Sequence, residues 1–333
     1  MSWQVLITAR TMNDVGQSAL QLLRDAGCRL VIPPKAGPLP AVELAAALPG
    51  MDAVLASMDK FTADVLAGPS AATLKLISRW GVGYDAIDVP AATRAGVVVA
   101  YTPGLLNETV ADYAFALLCA VARRVHEGHA TMRAGEWRSA WGHDISGKTL
   151  GILGCGRIGQ AMARRAAGFN LRLLGHDLAP NPEAEKLGVQ FVSFDELLAQ
   201  SDFLTLHAAL TPQSRGLIGE AQLRRMKPSA YLINTARGAL VDEAALVRAL
   251  QEGWIAGAAI DAFVTEPLPA DHPLRSAPNL LLTPHQASFA RETGERVSLA
   301  AAQAIVDLQS GRKPRWVVNP DVFGSAALRT AAV

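Results

Sequence analysis

The chain has 333 residues, and at roughly 150 residues per domain this length predicts about two domains. Half of the residues are hydrophobic and 18% are charged, a balance that supplies apolar material for sizeable cores and excludes a disordered chain. Lys and Arg total 31 against 30 Asp and Glu, so the formal charge is +1, which disfavours binding to nucleic acid or anionic membranes through net charge.

The sequence also indicates a reduced, cytoplasmic protein without a structural metal. Its longest strongly apolar stretch, Tyr113 to Ala122, has ten residues. A membrane-spanning helix needs about 20, so we expect a buried helix there. The N-terminus, Met1 to Arg10, alternates like a strand and lacks the basic and apolar blocks of a secretion signal. Cys28, Cys119 and Cys155 have no CxxC spacing and no plausible metal ligands beside them.

Residues 3–101 predict a series of βα units. Short apolar runs alternate there with Ala- and Leu-rich stretches, and Gly and Pro separate them. We predict strands at Val5 to Ile7, Ala53 to Ala56, Leu76 to Ser78 and Val97 to Ala100. The segment Pro33 to Pro40 holds four prolines and is expected to be a loop between units.

A second series of elements follows the Pro103-Gly104 pair, which marks a domain crossing. A long helix is predicted to begin near Asn107 or Glu108, and mostly continuous apolar runs come after it. Such runs are typical of parallel strands covered by helices on both faces, and six of them predict a doubly wound sheet. These strands are Thr149 to Leu153, Arg172 to His176, Phe203 to His207, Tyr231 to Asn234, Ala258 to Ile260 and Leu280 to Thr283. The pattern of the last helical stretch, Arg291 to Gln309, does not indicate which domain it packs against.

A glycine-rich turn, Gly154-Cys155-Gly156-Arg157-Ile158-Gly159, joins the first strand of this second series to a helical run. Gly154 permits the tight turn, Gly156 lets the backbone approach a pyrophosphate, and Gly159 allows close packing of helix on strand. Asp177 ends the next strand, 18 residues after Gly159, near the usual spacing for the acid that binds the ribose hydroxyls. Because a carboxylate repels a 2′-phosphate, the pattern favours NAD over NADP.

Five stretches resemble those of the D-isomer-specific 2-hydroxyacid dehydrogenase family. They are, in chain order, ISRWGVGYDAID, LTPQSRGLI, NTARGALVDEAAL, AIDAFVTEP and TPHQAS, and the likeness runs from about residue 50 to about residue 320. The resemblance implies an α/β fold in which a Rossmann-type cofactor domain is inserted into a smaller flavodoxin-like substrate domain. The implied substrate domain comprises residues 1–103 and 290–333, and the implied cofactor domain comprises 104–289.

Three residues of these stretches have the chemistry that reduction of a 2-keto acid requires. Arg237 can bind the substrate carboxylate or carbonyl through its two-pronged guanidinium. His285 can supply the proton, because imidazole titrates near physiological pH. Glu266 is expected to orient His285 and to stabilise its cationic form. In the oxidative direction, neutral His285 would take the hydroxyl proton instead.

The resemblance implies further contacts and an assembly. The backbone of Gly81, Val82 and Gly83 would bind the substrate carboxylate, and Asp261 matches the position that receives the nicotinamide carboxamide. The other residues implied to lie along the cofactor, beyond the glycine-rich turn and Asp177, are Thr109, His207, Thr235, Ala236, Arg237 and His285. Family members are commonly dimers joined through the cofactor domain, which predicts a homodimer through the arm Asn107 to Trp141.

The residues favour a small unphosphorylated 2-hydroxy or 2-keto acid, with glyoxylate and hydroxypyruvate as first candidates. A D-3-phosphoglycerate dehydrogenase is the enzymatic alternative, which Ala56 disfavours because it replaces a phosphate-binding arginine; Asp59 adds negative charge. An NAD(H)-sensing, corepressor-like binding protein of the same fold is the alternative of another class. Gln286 replaces the usual small or β-branched residue after the catalytic His, and together with Phe289 it is expected to border the site, with Trp80 as a candidate apolar wall.

Overall fold

The computed structural model describes residues 2–35 and 37–330, which form two compact units. One unit contains the described residues up to Leu106 together with those from Phe289 onward, and the other is Asn107–Ser288. The first unit is therefore discontinuous in sequence, and the chain leaves it and returns to it once. Within the described ranges, no helix has both the length and the apolar character needed to span a bilayer.

Strands and helices alternate along the described residues. The strands are β1 Gln4–Ile7, β2 Arg29–Val31, β3 Ala53–Ala56, β4 Leu76–Arg79, β5 Val98–Ala100, β6 Thr149–Leu153, β7 Arg172–His176, β8 Gln190–Phe191, β9 Phe203–Leu206, β10 Tyr231–Asn234, β11 Gly257–Ile260 and β12 Leu280–Leu282. The helices are α1 Met12–Val15, α2 Gln17–Asp25, α3 Ala41–Ala47, α4 Ala63–Ala67, α5 Val89–Arg94, α6 Asn107–Ala122, α7 Val125–Arg133, α8 Arg157–Ala167, α9 Pro182–Glu185, α10 Phe194–Gln200, α11 Glu220–Arg225, α12 Glu243–Gln251 and α13 Arg291–Gln309.

The first unit is built on a five-stranded parallel sheet in the order β2-β1-β3-β4-β5. This is the flavodoxin-type order, in which the chain reverses direction across the sheet after β2. The inner strand β3 is buried at all four positions, because helices cover both faces. The long helix α13 packs on α2 and β4, so it belongs to this unit although it follows the second unit in sequence.

The second unit is built on a seven-stranded parallel sheet in the order β12-β11-β10-β9-β6-β7-β8. The chain runs outward from β6 to β8, returns to β9 on the other side of β6, and runs outward again to β12. Adjacent strands β6 and β9 therefore form the point at which the strand order reverses, where open α/β sheets bind their ligands. The predicted Rossmann-type α/β fold is confirmed, and α6 is buried against α8, β10 and β11 as predicted.

All ten predicted strands are present, each with its ends within one residue of the prediction. Two further strands, β2 and β8, were not predicted, so the second sheet has seven strands rather than the six expected. Both lie at the edge of their sheets. β2 exposes Arg29 and only half-buries its other residues, and β8 has just two residues. The other two edge strands, β5 and β12, consist of apolar residues only and were predicted, so what β2 and β8 lack is a continuous apolar run within the strand.

Candidate active site

The residues singled out in the second unit follow the carboxyl ends of its strands. Because the sheet is parallel, these ends meet at one edge, which is the edge where ligands bind in open α/β sheets. In chain order, the residues directly after β6, β7, β9, β10 and β11 are Gly154, Asp177, His207, Thr235 and Asp261, and His285 lies three residues beyond β12.

Glycine occupies three positions of the turn after β6, and the structural reason differs from one position to the next. Gly154 has a φ of 92°, and a Cβ there would come within 2.5 Å of the Ala208 amide nitrogen. A Cβ on Gly159 would lie 2.2 Å from the carbonyl oxygen of Gly154, because α8 packs closely against the turn. A Cβ on Gly156 would meet no atom within 4 Å. The protein's own packing therefore does not require glycine at position 156, and the bare backbone leaves room for a ligand.

Helix α8 begins at this turn without a capping side chain. Its N-cap residue is Gly156, and the amides of Arg157 and Ile158 have no acceptor within the described part of the chain. Unpaired amides at the start of a helix, together with the helix dipole, favour an anion. The start of this eleven-residue helix therefore fits the pyrophosphate of a dinucleotide.

Asp177 is fixed beside the same turn by backbone amides. Its Oδ2 accepts a hydrogen bond from the Cys155 amide and its Oδ1 from the Leu178 amide, both at 2.8 Å. An ionised carboxylate has about four acceptor positions, so capacity for ribose hydroxyls remains. Burial and the nearby charge of Asp177 raise the pKa of the Cys155 thiol to about 12, so this cysteine is not a thiolate at neutral pH.

The turn after β10 carries a buried polar atom without a partner. Asn234 holds this turn, since its Oδ1 accepts from the Ala236 amide at 3.0 Å and its Nδ2 donates to the Arg237 carbonyl at 2.8 Å. Thr235 is 8% exposed, and its hydroxyl has no hydrogen-bond partner among the described residues. Leaving a buried hydroxyl unpaired costs about 1–3 kcal/mol, which a bound polar ligand would offset. The orphaned hydroxyl, the open space at Gly156 and the uncapped helix all fit a bound NAD.

Two other cofactor candidates are placed as follows. His207 is half-buried, and its Nε2 lies 2.9 Å from Thr205 Oγ1. Burial lowers the pKa of His207 to about 4, so this imidazole is neutral at physiological pH and unsuited to donate a proton there. Thr109 lies half-buried in the first turn of α6.

Glu266 and His285 form a direct pair. Glu266 Oε2 lies 2.7 Å from His285 Nδ1, and Glu266 Oε1 accepts from the Phe263 amide at 2.9 Å. Burial opposes ionisation of Glu266, but the hydrogen bond and charge of His285, the Phe263 amide and the charge of Arg237 together hold its pKa below the ordinary value. An ionised carboxylate can only accept hydrogen bonds, so Nδ1 carries a proton and Nε2 is the ring atom left for a substrate.

Arg237 completes the group on this edge of the sheet. It follows β10, its Nη1 donates to the Ala236 carbonyl at 2.9 Å, and its charge acts on Glu266. The second unit thus brings together the three residues that the sequence analysis assigned to proton transfer and carboxylate binding. Asn234 was not among the predicted site residues, and its signal in the sequence is a carboxamide at the end of an otherwise apolar strand.

The turn after β12 is held from two sides. Asp261 is fully buried and accepts hydrogen bonds from Thr283, Gln286 and Ala287. The Gln286 side chain donates from Nε2 to the Tyr113 hydroxyl of α6 at 2.6 Å. The carboxylate of Asp261 is therefore engaged by the segment that carries the catalytic histidine candidate.

In the first unit, the loop after β4 contains the residues implied to bind a carboxylate. The Gly81 amide is occupied, because it donates to Thr102 Oγ1 at 2.9 Å. The amides of Val82 and Gly83 have no acceptor within the described ranges. Arg79 lies beside this loop: its Nε donates to the Gly83 carbonyl at 2.9 Å, and a Cβ on Gly81 would lie 3.0 Å from its Nη1. Arg79 was not among the predicted site residues, and its signal in the sequence is a cation at the end of a buried strand.

Asp59 does not present its charge to a ligand as the sequence analysis assumed. It is fully buried and accepts hydrogen bonds from the Thr8 hydroxyl, the Leu39 amide and the Ser57 amide. A carboxylate that is excluded from solvent must find such donors, and its role here is to hold the loop after β3. Asp59 therefore does not disfavour a phosphorylated substrate, whereas Ala56 still does, since it offers no positive charge.

Phe289 and Gln286, which were expected to border one site, belong to different units. Phe289 makes an edge-to-face contact with Trp80 at 6.2 Å between ring centroids, and both line a cavity of about 330 Å³ in the first unit. Trp80 is fixed there, because its Nε1 donates to Ser298 Oγ at 2.9 Å.

Comparisons with known proteins agree on one family. A family model described as "D-isomer specific 2-hydroxyacid dehydrogenase, NAD binding domain" matches residues 115–287. A glyoxylate reductase of Korarchaeum cryptofilum is 48% identical over 260 residues, which cover 76% of this chain and 78% of that protein. A glyoxylate reductase of Thermofilum pendens is 40% identical over 318 residues, 93% of each chain. The crystal structure of the TT0316 protein from Thermus thermophilus has a TM-score of 0.85 at 41% identity and covers 95% of this chain and 99% of its own.

The family model covers more than half of the chain, and full-length relatives share well over 30% of its residues. The glycine-rich turn, the uncapped helix and Asp177 provide the matching cofactor site. The chain therefore belongs to the D-isomer specific 2-hydroxyacid dehydrogenase family and is an NAD-dependent oxidoreductase.

Proposed function

We propose that this enzyme reduces small, unphosphorylated 2-keto acids with NADH, with glyoxylate and hydroxypyruvate as the first candidates, and that Arg237, Glu266 and His285 carry the reaction. The observation that carries the proposal is the 2.7 Å contact between Glu266 and His285, with the charge of Arg237 acting on the same carboxylate. The similarity to proteins named glyoxylate reductases supports the choice of substrate.

Each of the three side chains has a separate task in the proposed reaction. The Arg237 guanidinium binds the substrate carboxylate and polarises the carbonyl. His285 donates a proton from Nε2 to the carbonyl oxygen, while Glu266, ionised at neutral pH, accepts from Nδ1 and stabilises the imidazolium. Bound NADH supplies the hydride to the carbonyl carbon. In the reverse direction, neutral His285 accepts the hydroxyl proton.

The residues proposed to contact the cofactor lie mostly at or beyond the carboxyl ends of the seven-stranded sheet. They are Gly154, Gly156, Arg157, Ile158, Gly159, Asp177, His207, Thr235, Ala236, Arg237, Asp261 and His285, together with Thr109 on α6. The free amides at the start of α8 bind the pyrophosphate, and Asp177 binds the ribose hydroxyls. In the first unit, we propose the loop Gly81 to Gly83 for the substrate carboxylate, with the Val82 and Gly83 amides as its donors.

The experiment is a panel of 2-keto acids tested with the purified protein and NADH. We expect turnover in the ordinary enzymatic range of about 1 to 10³ per second for glyoxylate or hydroxypyruvate. We also expect loss of turnover in His285→Ala and no loss in His272→Ala, a matched control that removes a histidine lying 3.4 Å from a different glutamate, Glu243. Full activity of His285→Ala would refute the assignment. Strong competition by phosphate esters would favour a phosphoglycerate substrate, and tight NADH binding with negligible turnover would favour a binding protein.

We also propose that the enzyme is a homodimer through the arm Asn107 to Trp141. Helix α7 buries none of its residues, and the segment after it exposes 90% of Trp137 and 95% of Trp141. Large apolar side chains exposed together on one segment are typical of an interaction surface. Light scattering should give the mass of two chains for the wild type and of one chain for Trp137→Ser/Trp141→Ser. Leu178→Ser, which changes an exposed leucine elsewhere, is the control, and a wild-type mass of one chain would contradict the proposal.

A further inference from the structure

We propose that the cavity beside Trp80 in the first unit is a second ligand site, which binds a small α-amino acid with an apolar side chain. The cavity has a volume of about 330 Å³ and is lined by α1, the start of α13 and the residue that follows β4. Every residue that lines it belongs to the first unit. None of them is proposed above for proton transfer, cofactor binding or carboxylate binding. The inference therefore goes beyond the proposed function and does not rest on it.

The floor of the cavity is formed by packed residues. Trp80 is 6% exposed, its Nε1 donates to Ser298 Oγ at 2.9 Å, and its ring meets Phe289 edge-to-face. Gly294 brings α13 so close to α1 that a Cβ there would lie 2.6 Å from Val15 Cγ2. Ligand pockets of about 300–1,000 Å³ are typically preformed and largely apolar, with a few polar groups that orient the ligand. This cavity lies at the small end of that range, which fits a small metabolite.

The start of α13 favours an anionic group in this cavity. The helix has 19 residues and begins after Ala290 without a capping side chain. The amides of Arg291 and Glu292 have no acceptor in the part of the chain that the structure describes. Free amides at a helix start, together with the helix dipole, bind carboxylates. The exposed Arg291 side chain also lines the cavity and forms no ion pair with another described residue, so its guanidinium is available to the same carboxylate.

Thr11 is an independent indication of a polar ligand. It lines the cavity, it is 7% exposed, and its hydroxyl has no hydrogen-bond partner among the described residues. Thr11 also occupies the N-cap position of α1, where a threonine hydroxyl usually accepts from the helix, but it makes no such bond. A buried hydroxyl without a partner is unfavourable, so a polar group bound in the cavity would stabilise it.

Asp14 adds a negative charge to the same cavity. It lies exposed in the first turn of α1, and its side chain makes no ion pair or hydrogen bond with another described residue. A simple anion does not account for this carboxylate, because like charges repel. A ligand with both a carboxylate and an ammonium group accounts for Asp14 and for the start of α13 together. The apolar surface of Val15, Trp80 and Phe289 then receives a hydrocarbon side chain, and these three features define an α-amino acid.

Leucine and two analogues with the same hydrocarbon body test the proposal. Isocaproate lacks the ammonium group, and isoamylamine lacks the carboxylate. In isothermal titration of the purified protein, we expect saturable binding of leucine with a Kd of about 1 mM or below. We expect each analogue to bind at least about tenfold more weakly, because each loses one charge-assisted contact.

Three variants assign the contacts. Asp14→Asn should weaken leucine binding at least about tenfold without weakening isocaproate binding, whereas Arg291→Gln should weaken the binding of both. Thr11→Val should weaken leucine binding at an unchanged melting temperature, because the hydroxyl that it removes has no protein partner. The matched control is Asp64→Asn, which changes an exposed acid in the first turn of another short helix of this unit, α4, away from the cavity lining. We expect wild-type binding in this control.

A lack of saturable leucine binding would refute the site. Equal binding of leucine and isocaproate, or wild-type leucine binding by Asp14→Asn, would overturn the assignment to an amino acid. We expect His285→Ala to bind leucine with the wild-type Kd, and a weaker Kd in that variant would overturn the proposal in favour of binding at the active site. The titration needs neither NADH nor a keto acid, so its result and the result of the activity panel are independent.

Discussion

The pairing of Glu266 with His285 makes Glu266→Gln the most informative perturbation. Glutamine keeps the shape of glutamate and can still accept from the Phe263 amide, but it removes the negative charge 2.7 Å from the imidazole. A hydrogen bond to a charged group contributes about 1.5–3 kcal/mol, which is about tenfold to a hundredfold in a rate. The side chains are 32% and 29% exposed, so solvent screens them only in part. We therefore expect kcat/KM for reduction at neutral pH to fall by about tenfold to a hundredfold in Glu266→Gln, and its pH profiles to be displaced.

The direction of the displacement follows from the state of His285 that each reaction needs. Reduction needs the imidazolium, so activity is lost as pH rises, and without the charge of Glu266 this loss begins at lower pH. Oxidation needs neutral imidazole, so activity appears at lower pH in the variant. The pKa of Glu266 is held below its ordinary value, so in the wild type its stabilising charge is present at neutral pH and is lost only as pH falls through that lowered value.

The assay is the pH dependence of kcat/KM for glyoxylate reduction and for oxidation of the corresponding 2-hydroxy acid. The control is Glu252→Gln, which changes an exposed glutamate whose Oε2 accepts from the Trp254 indole at 2.9 Å. We expect its profiles to match the wild type. Profiles of Glu266→Gln that coincide with the wild type in both directions would refute the role of Glu266 in proton transfer.

The cofactor site and the carboxylate site yield three further predictions. Asp177→Ala should reduce the preference for NADH over NADPH by about tenfold to a hundredfold in kcat/KM, since charge-assisted bonds to the ribose are lost; unchanged selectivity would assign the discrimination to another residue. Arg237→Lys keeps the charge but loses the two-pronged geometry, so kcat/KM for glyoxylate should fall by at least about tenfold. An unchanged kcat/KM would contradict the role of Arg237 in binding the carboxylate. Gly156→Ala should weaken NADH binding but leave the melting temperature unchanged, because the added Cβ meets no protein atom within 4 Å. Gly154→Ala should lower the melting temperature, because its Cβ would clash with the backbone. Equal melting temperatures of the two variants would contradict this distinction.

The sequence by itself determined the inner strands, the glycine-rich turn and the catalytic candidates. Parallel strands covered on both faces need continuous apolar runs, so strands such as β6 and β10 are visible without a structure. The turn after β6 can be recognised in the sequence because its requirements are local. Gly154 adopts a positive φ, and the first amides of the following helix must be left free to bind a ligand. The order of the motifs then indicated the family, which the comparisons confirm.

Only the tertiary structure decided features that depend on partners distant in sequence. Helix α13 has no sequence pattern that selects a domain, but its apolar face fits α2 and β4 of the first unit. Asp59 reads as a surface charge until its three donors show that it is buried. The hydrogen bond of Asp261 to Thr283 also depends on the pairing of β11 with β12, which sets Ile260 opposite Leu282. In each case the physical reason is the same, because hydrogen bonds and burial depend on strand register and helix packing, which residue type alone does not specify.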